Sequence, residues 1–245
     1  MIIVAGGDSF VYGSELADCD ETHFSNSTFP VILAQRNNYG YVCAARPGNS
    51  NDAIARMLIL ECEKLLDQNQ SVAVIAVWTF VNRYEFLFNY KINSPISPWC
   101  SITPHNTGKK EVQDFKDCFY KHVGSNDNFA NYNTLTSILL LQNYLISKNI
   151  PYMFLPADNH FYTGQIDSNV NIIKILHKCI NWDKWYFFPH AEEQWNTTTP
   201  RGFYQWAVEN KYPIGAHTHP LEEAHRDAAK LIKEKFDEMV KKLVQ

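Results

Sequence analysis

No apolar run in this chain of 245 residues approaches the ~20 residues that a membrane-crossing helix needs. No leader with an apolar centre and a small-residue cleavage site stands before the first strand-like segment. The fold is therefore expected to begin at Met1 and the protein to be cytoplasmic. There is no basic block either. The balance of 22 Lys and Arg against 26 Asp and Glu gives a net charge of -4, which favours neither nucleic acid nor an anionic membrane surface as partner. Cysteine pairs at C-x-x-C spacing are missing. Cys19, Cys43, Cys62, Cys100, Cys118 and Cys179 are scattered, as reduced thiols are in a cytosolic protein. Neither G-x-x-x-x-G-K-[ST] nor G-x-G-x-x-G occurs, so the glycines do not announce a nucleotide. Repeats and low-complexity tracts are absent too.

What is present is a content of 45% hydrophobic and 14% aromatic residues. That suits one α/β domain over 1–245 with an irregular insertion at about 84–133. Met1-Ile2-Ile3-Val4-Ala5 is apolar without alternation and reads as a buried strand. It stops at Gly6-Gly7, and Asp8 and Ser9 are both good residues to start a helix. A strand, a tight turn and a helix start would hold Ser9 at the carboxyl end of a central strand, where open α/β sheets bind ligands. The same residues also suit a plain strand-to-helix turn with Ser9 as its cap.

Further along, Thr28-Phe29-Pro30 opens a helix to about Asn38, and Tyr39 to Ala45 reads as a strand. A dense turn signal over 46–52 follows. A helix capped by Asn51 or Asp52 then carries Ile54, Met57, Leu58, Leu65 and Leu66 at helical spacing. Ser71 to Val77 is the plainest strand in the chain. From Tyr84 to Thr107, prolines and polar residues predict a long loop. Helices are expected over Lys110–Val123 and Asn133–Lys148, a strand at Tyr152–Leu155 and a helix at Val170–Cys179. A fifth, aromatic strand at Trp185–Phe188 precedes a short helix near Gly202–Glu209 and a last amphipathic helix over Leu221–Leu243. Alternation of this kind predicts a mainly parallel sheet covered on both faces.

Polar residues cluster at the expected strand ends: Ser9, then Gly48-Asn49, then Thr79 and Asn82, with His219 just before the last helix. A hydroxyl, a base and convergent N–H donors are what acyl transfer requires. His217-x-His219 with His225 also invites a metal, but no acidic ligand is spaced to join them, so no metal and no cofactor are expected. Arg83, beside Glu85, would meet a substrate carboxylate or phosphate, or else an internal acid. Trp99, Trp182, Trp195 and Trp206 fall in or near irregular segments, where rings stack on sugars or fill a core.

These residues resemble the SGNH, or GDSL-type, hydrolases. Gly7-Asp8-Ser9 is similar to their first block and Gly48 to the glycine of their second. His219-Pro220 is similar to the last, where a histidine and a proline open the C-terminal helix. The resemblance implies a three-layer α/β/α sandwich around a mainly parallel, five-stranded, flavodoxin-like sheet. It implies Ser9 as nucleophile, His219 as general base, and an oxyanion hole from the N–H groups of Ser9 and Gly48. Asn82 stands for the family's asparagine donor, with Thr79 as its substitute, and Asp8 as a buttress of the turn. The substrate implied is a small ester, such as an O-acyl group on a carbohydrate. A compact chain of this form is similar to members encoded by bacteria and their phages.

Two departures stand out. The third block, usually Gly-x-Asn-Asp, reads Trp78-Thr79-Phe80-Val81-Asn82-Arg83, and the family's Asp three residues before the histidine is replaced by Ala216. His219 is then oriented by a backbone carbonyl, by another carboxylate such as Asp158, or not at all, and His217 is a further supporting candidate. The departures also fit a binding or structural protein that keeps the fold without turnover.

Overall fold

A computed structural model describes residues 1–20, 22–88, 99–105, 110–159, 170–190 and 200–241. Its central sheet is parallel, in the order β2-β1-β3-β6: β2 is Gly40–Cys43, β1 Ile2–Gly6, β3 Val72–Trp78 and β6 Tyr152–Pro156. β1 and β3 occupy the middle. That explains their unbroken apolar sequences, since a parallel strand between two others is buried on both faces.

The period-two alternation of a strand sorts the side chains into two cores. Ile3, Ala5, Ile75, Val77, Met153 and Leu155 face α2 (Phe29–Arg36), α7 (Phe203–Glu209) and α8 (Glu222–Lys241). Val4, Val74, Ala76, Tyr152 and Phe154 face α3 (Asn51–Asp67), α5 (Asp127–Ser147) and α6 (Asn171–Lys178). The result is three layers, helices over sheet over helices, as the alternating pattern requires.

The elements depart from the sequence reading in five places. Among the described residues the sheet has four strands, not five. The expected fifth shrinks to one parallel bridge between Phe154 and Trp185, with Tyr186 N–H donating to Phe154 O at 2.8 Å. Bulky rings in succession at 185–188 pack on one another instead of extending a ladder. The expected loop after residue 84 contains an antiparallel pair, β4 (Tyr84–Leu87) with β5 (Trp99–Ile102), in which Tyr84, Phe86, Trp99 and Ile102 supply the aromatic and β-branched side chains that favour a strand. Helix α5 begins six residues early because Asn126 caps it, accepting from Phe129 N–H. Ser50, not Asn51 or Asp52, caps α3. Helix α4 (Lys110–Phe119) ends in a wider π-helical turn, Tyr120–Gly124.

Among the described residues, no helix is long and apolar enough to cross a membrane.

Candidate active site

The turn after β1 is built on a buried charge. Asp8 is fully buried and caps the short helix α1 (Ser9–Tyr12), its Oδ1 accepting from Phe10 N–H at 3.0 Å. The cap is therefore Asp8, and Ser9 is the first helical residue. The other oxygen, Oδ2, accepts from the Thr79 hydroxyl at 2.6 Å and from Arg83 Nη1 at 3.1 Å. The same Nη1 donates to Thr79 Oγ1 at 3.0 Å. A carboxylate stripped of water is tolerable only with such partners. Asp8 thus ties the turn bearing Ser9 to the end of β3, and Arg83 is spent on an internal acid at one of its nitrogens.

The loop after β2 is strapped to the same turn. Arg46 N–H and Asn49 Nδ2 both donate to Gly7 O, at 3.4 and 3.0 Å. Between them Gly48 takes a φ of +77°, where a side chain would be strained, and the space around it is open. Neither Ser9 N–H nor Gly48 N–H donates to a described residue. Asn51, at the start of α3, accepts from Thr79 N–H at 2.8 Å. It also donates to Thr79 O and to Thr134 Oγ1 at 3.2 and 3.1 Å. The three strand ends are therefore cross-linked by polar side chains and not merely adjacent.

His219 has an acidic partner. Its Nδ1 lies 2.6 Å from Glu15 Oε2, with both side chains largely buried. His217 N–H meets both oxygens of the same carboxylate at 3.0 Å. Gly215 lies so close that a Cβ there would stand 2.6 Å from Glu15 Oε2. Glu15 itself holds a φ of 68°, a left-handed conformation that is costly for a residue with a side chain and concentrates at functional sites. Burial pushes its carboxyl upward, but the hydrogen bonds from His219 and His217 outweigh that and hold it below its ordinary value. The His219 ring also packs edge-on against Phe10, the residue after Ser9, with centroids 5.6 Å apart. Among the described residues, no hydrogen bond joins the Ser9 hydroxyl to His219.

The remaining candidates fall in different places. His217 has an exposed ring and acts through its backbone. Asp158 is buried at the end of β6, where Tyr204 N–H donates to Ala157 O, and the acid on His219 is Glu15 instead. Asn82 is exposed beyond β3, and its carbonyl accepts from Tyr120 Oη at 2.7 Å. His225 is a core histidine: its Nδ1 accepts from Phe29 N–H, and burial pushes its pKa down to about 3. Trp206 belongs to the core, Trp182 stacks near Trp185, Trp99 lies 4.4 Å from the Arg56 guanidinium, and Trp195 lies outside the described residues. The β4–β5 pair leans on the start of α3, Glu85 N–H donating to Asp52 at 3.1 Å. No group of three His, Cys, Asp or Glu among the described residues is arranged to hold a metal.

A cavity of about 620 Å³ opens between the Glu15 loop and the Gly48 loop, lined by Tyr12, Ser14, Glu15, Cys19, Asp20, Arg46 and Pro47.

Sequence reasoning missed Glu15. The signal available was slight: it is the first acid after Ser9, two residues beyond Gly13, in a stretch with other acids at 18, 20 and 21.

No family model matches the chain, and no curated protein matches it in sequence. Among solved structures, it is similar to a psychrotrophic esterase of Pseudoalteromonas sp., with a TM-score of 0.47 and 11% identity over 99% of this chain and 98% of that one. It is also similar to an acetyl xylan esterase of the rumen bacterium Butyrivibrio proteoclasticus, with a TM-score of 0.45 and 14% identity over 98% of this chain and 64% of that one. A protein assigned to the G-D-S-L lipolytic family, from Desulfitobacterium hafniense, gives a TM-score of 0.38 and 14% identity over 95% of each chain.

Proposed function

We propose that this protein is a serine hydrolase of the SGNH type, cleaving a small ester through an acyl-enzyme on Ser9 with His219 as general base. The observation that carries the reading is the 2.6 Å contact between Glu15 and His219. A histidine whose Nδ1–H is held by a carboxylate keeps Nε2 as its acceptor and is stabilised when it becomes charged. Glu15 then does from the N-terminal loop what an Asp at 216 would do.

The steps follow from these roles. Ser9 Oγ adds to the ester carbonyl carbon as its proton passes to His219 Nε2. The carbonyl electron pair moves onto oxygen, and the uncommitted N–H groups of Ser9 and Gly48 receive that charge. His219 returns the proton to the departing alcohol, and a water, deprotonated by the same nitrogen, releases the acid.

The cavity beside Glu15 and Pro47 supports a polar alcohol as leaving group. Its walls carry the Tyr12 phenol, the Ser14 hydroxyl and the charges of Asp20 and Arg46. Such a lining suits a hydroxylated ring over a long acyl chain, so an O-acylated carbohydrate is the favoured substrate.

The test is labelling with a fluorophosphonate probe. Wild type should be labelled on Ser9, while Ser9→Ala and His219→Ala should not. The absent Ser9–His219 hydrogen bond favours a second reading, a binding protein without turnover. Failure of wild type to label beside a reactive control would select it.

A further inference from the structure

We propose that Arg83 is the side-chain donor to the oxyanion, acting beside the N–H groups of Ser9 and Gly48; this rests on Ser9 being the nucleophile. When Ser9 Oγ bonds to the carbonyl carbon, the C=O pair becomes an alkoxide and the hydroxyl proton goes to His219. No further reactant is needed, only donors where the negative charge develops.

Four polar side chains near the strand ends are spent or turned away, and Arg46, beside the Gly48 loop, is exposed to water. Asn49 Nδ2 is spent on Gly7 O and Met57 sulfur. Asn51 Nδ2 is spent on Thr79 O and Thr134. The Thr79 hydroxyl donates to Asp8. Asn82 is exposed, with its carbonyl under Tyr120. Arg83 differs: Nη1 is spent on Asp8 and Thr79, while Nη2 and Nε donate to no described residue.

Arg83 is also held for the task. Its guanidinium is anchored to the residue immediately before Ser9 and rests 4.5 Å from the Phe80 ring centroid. Its side chain is only 18% exposed, so its charge acts with little screening by water. A fork with one nitrogen fixed and another uncommitted can brace a buried acid and still offer a donor, which an ammonium on a flexible stem does poorly.

The test pairs two variants with a small ester substrate and the fluorophosphonate probe. Arg83→Lys keeps a cation against Asp8 but loses the second nitrogen. It should retain the wild-type melting temperature and KM and lose about 10²-fold in kcat. Arg83→Ala should lose more, and low-millimolar guanidinium should restore part of its activity. A Lys variant turning over at the wild-type rate, or a folded Ala variant indifferent to guanidinium, would overturn the proposal and leave Arg83 as a counterion. Wild type that fails to label on Ser9 would overturn the hydrolase reading as well, which separates the two failures.

Discussion

Glu15 and His219 stand 204 positions apart in the chain, yet Glu15 Oε2 lies 2.6 Å from His219 Nδ1. The loop that carries the histidine closes on the carboxylate. Gly215 N–H donates to His219 O at 2.8 Å and Thr218 N–H to Gly215 O at 3.1 Å, which brings His217 N–H onto Glu15 as well. The acid is thus bound by ring and backbone together, and it fixes the position of the loop as much as the orientation of the ring.

Glu15→Gln should lower kcat on a short ester on the order of 10²- to 10⁴-fold, because an amide leaves the imidazolium uncompensated and can impose the wrong tautomer. Glu15→Asp, one methylene shorter, should fall between. Steady-state kinetics with a melting curve for each variant checks this. Full activity in Glu15→Gln would remove Glu15 from the catalytic set.

Gly215→Ala should act on the same contact from the other side. The added methyl would stand 2.6 Å from Glu15 Oε2, so the carboxylate must move. The expected outcome is a kcat loss of roughly tenfold or more with the fold retained, since a displacement of this order in a positioning group is felt at the reacting atoms. Far-ultraviolet circular dichroism alongside kinetics separates this from misfolding.

The pH dependence of stability should carry the mark of Glu15. Its carboxyl titrates lower in the folded chain than the ordinary 4.5, so the unfolded chain takes up the proton first on acidification. The stabilisation is whole at neutral pH and is lost below 4.5, as pH falls towards and through the lower folded value. The gap in melting temperature between wild type and Glu15→Gln should therefore be present at pH 7 and narrow below pH ~4.5.

His225 gives a second, wider window. Burial pushes its pKa down from 6.5 to about 3. Below pH 6.5 the unfolded chain binds a proton that the folded chain refuses, so stability declines with falling pH by about 1.4 kcal/mol per unit until about pH 3. His225→Asn keeps an acceptor for Phe29 N–H and should flatten that slope in denaturant titrations across the window. An unchanged slope would mean that other groups govern it.

Much of the frame was legible because it is local. An unbroken apolar run, two glycines and a capping acid are enough to set out β1, the turn and Ser9, and Pro30 marks the start of α2 at sight. The pair of histidine and proline before α8 is equally plain. What escaped is non-local. Glu15 acquires its role from a loop at the far end of the chain and from a left-handed backbone that no acidic residue advertises. Arg83 meets Asp8 across 75 positions, and nothing in either neighbourhood specifies the other. The β4–β5 pair was hidden by turn-forming residues whose weight exceeds that of two four-residue strands. Trp185–Phe188 misled in the opposite sense, since strand-loving rings there found one another and not a ladder.

The strand that delivers Ser9 is the second in a row of four, flanked on both sides by strands made later, and the base follows the acid by 204 positions. During translation Glu15 is added 204 residues before His219, and Ser9 earlier still. Under the proposed mechanism, a serine already made has no base until the segment that opens α8 arrives and docks. Ala17 N–H, donating to Glu222 Oε1 at 2.8 Å, and Glu15, holding His219, are the two clasps of that docking.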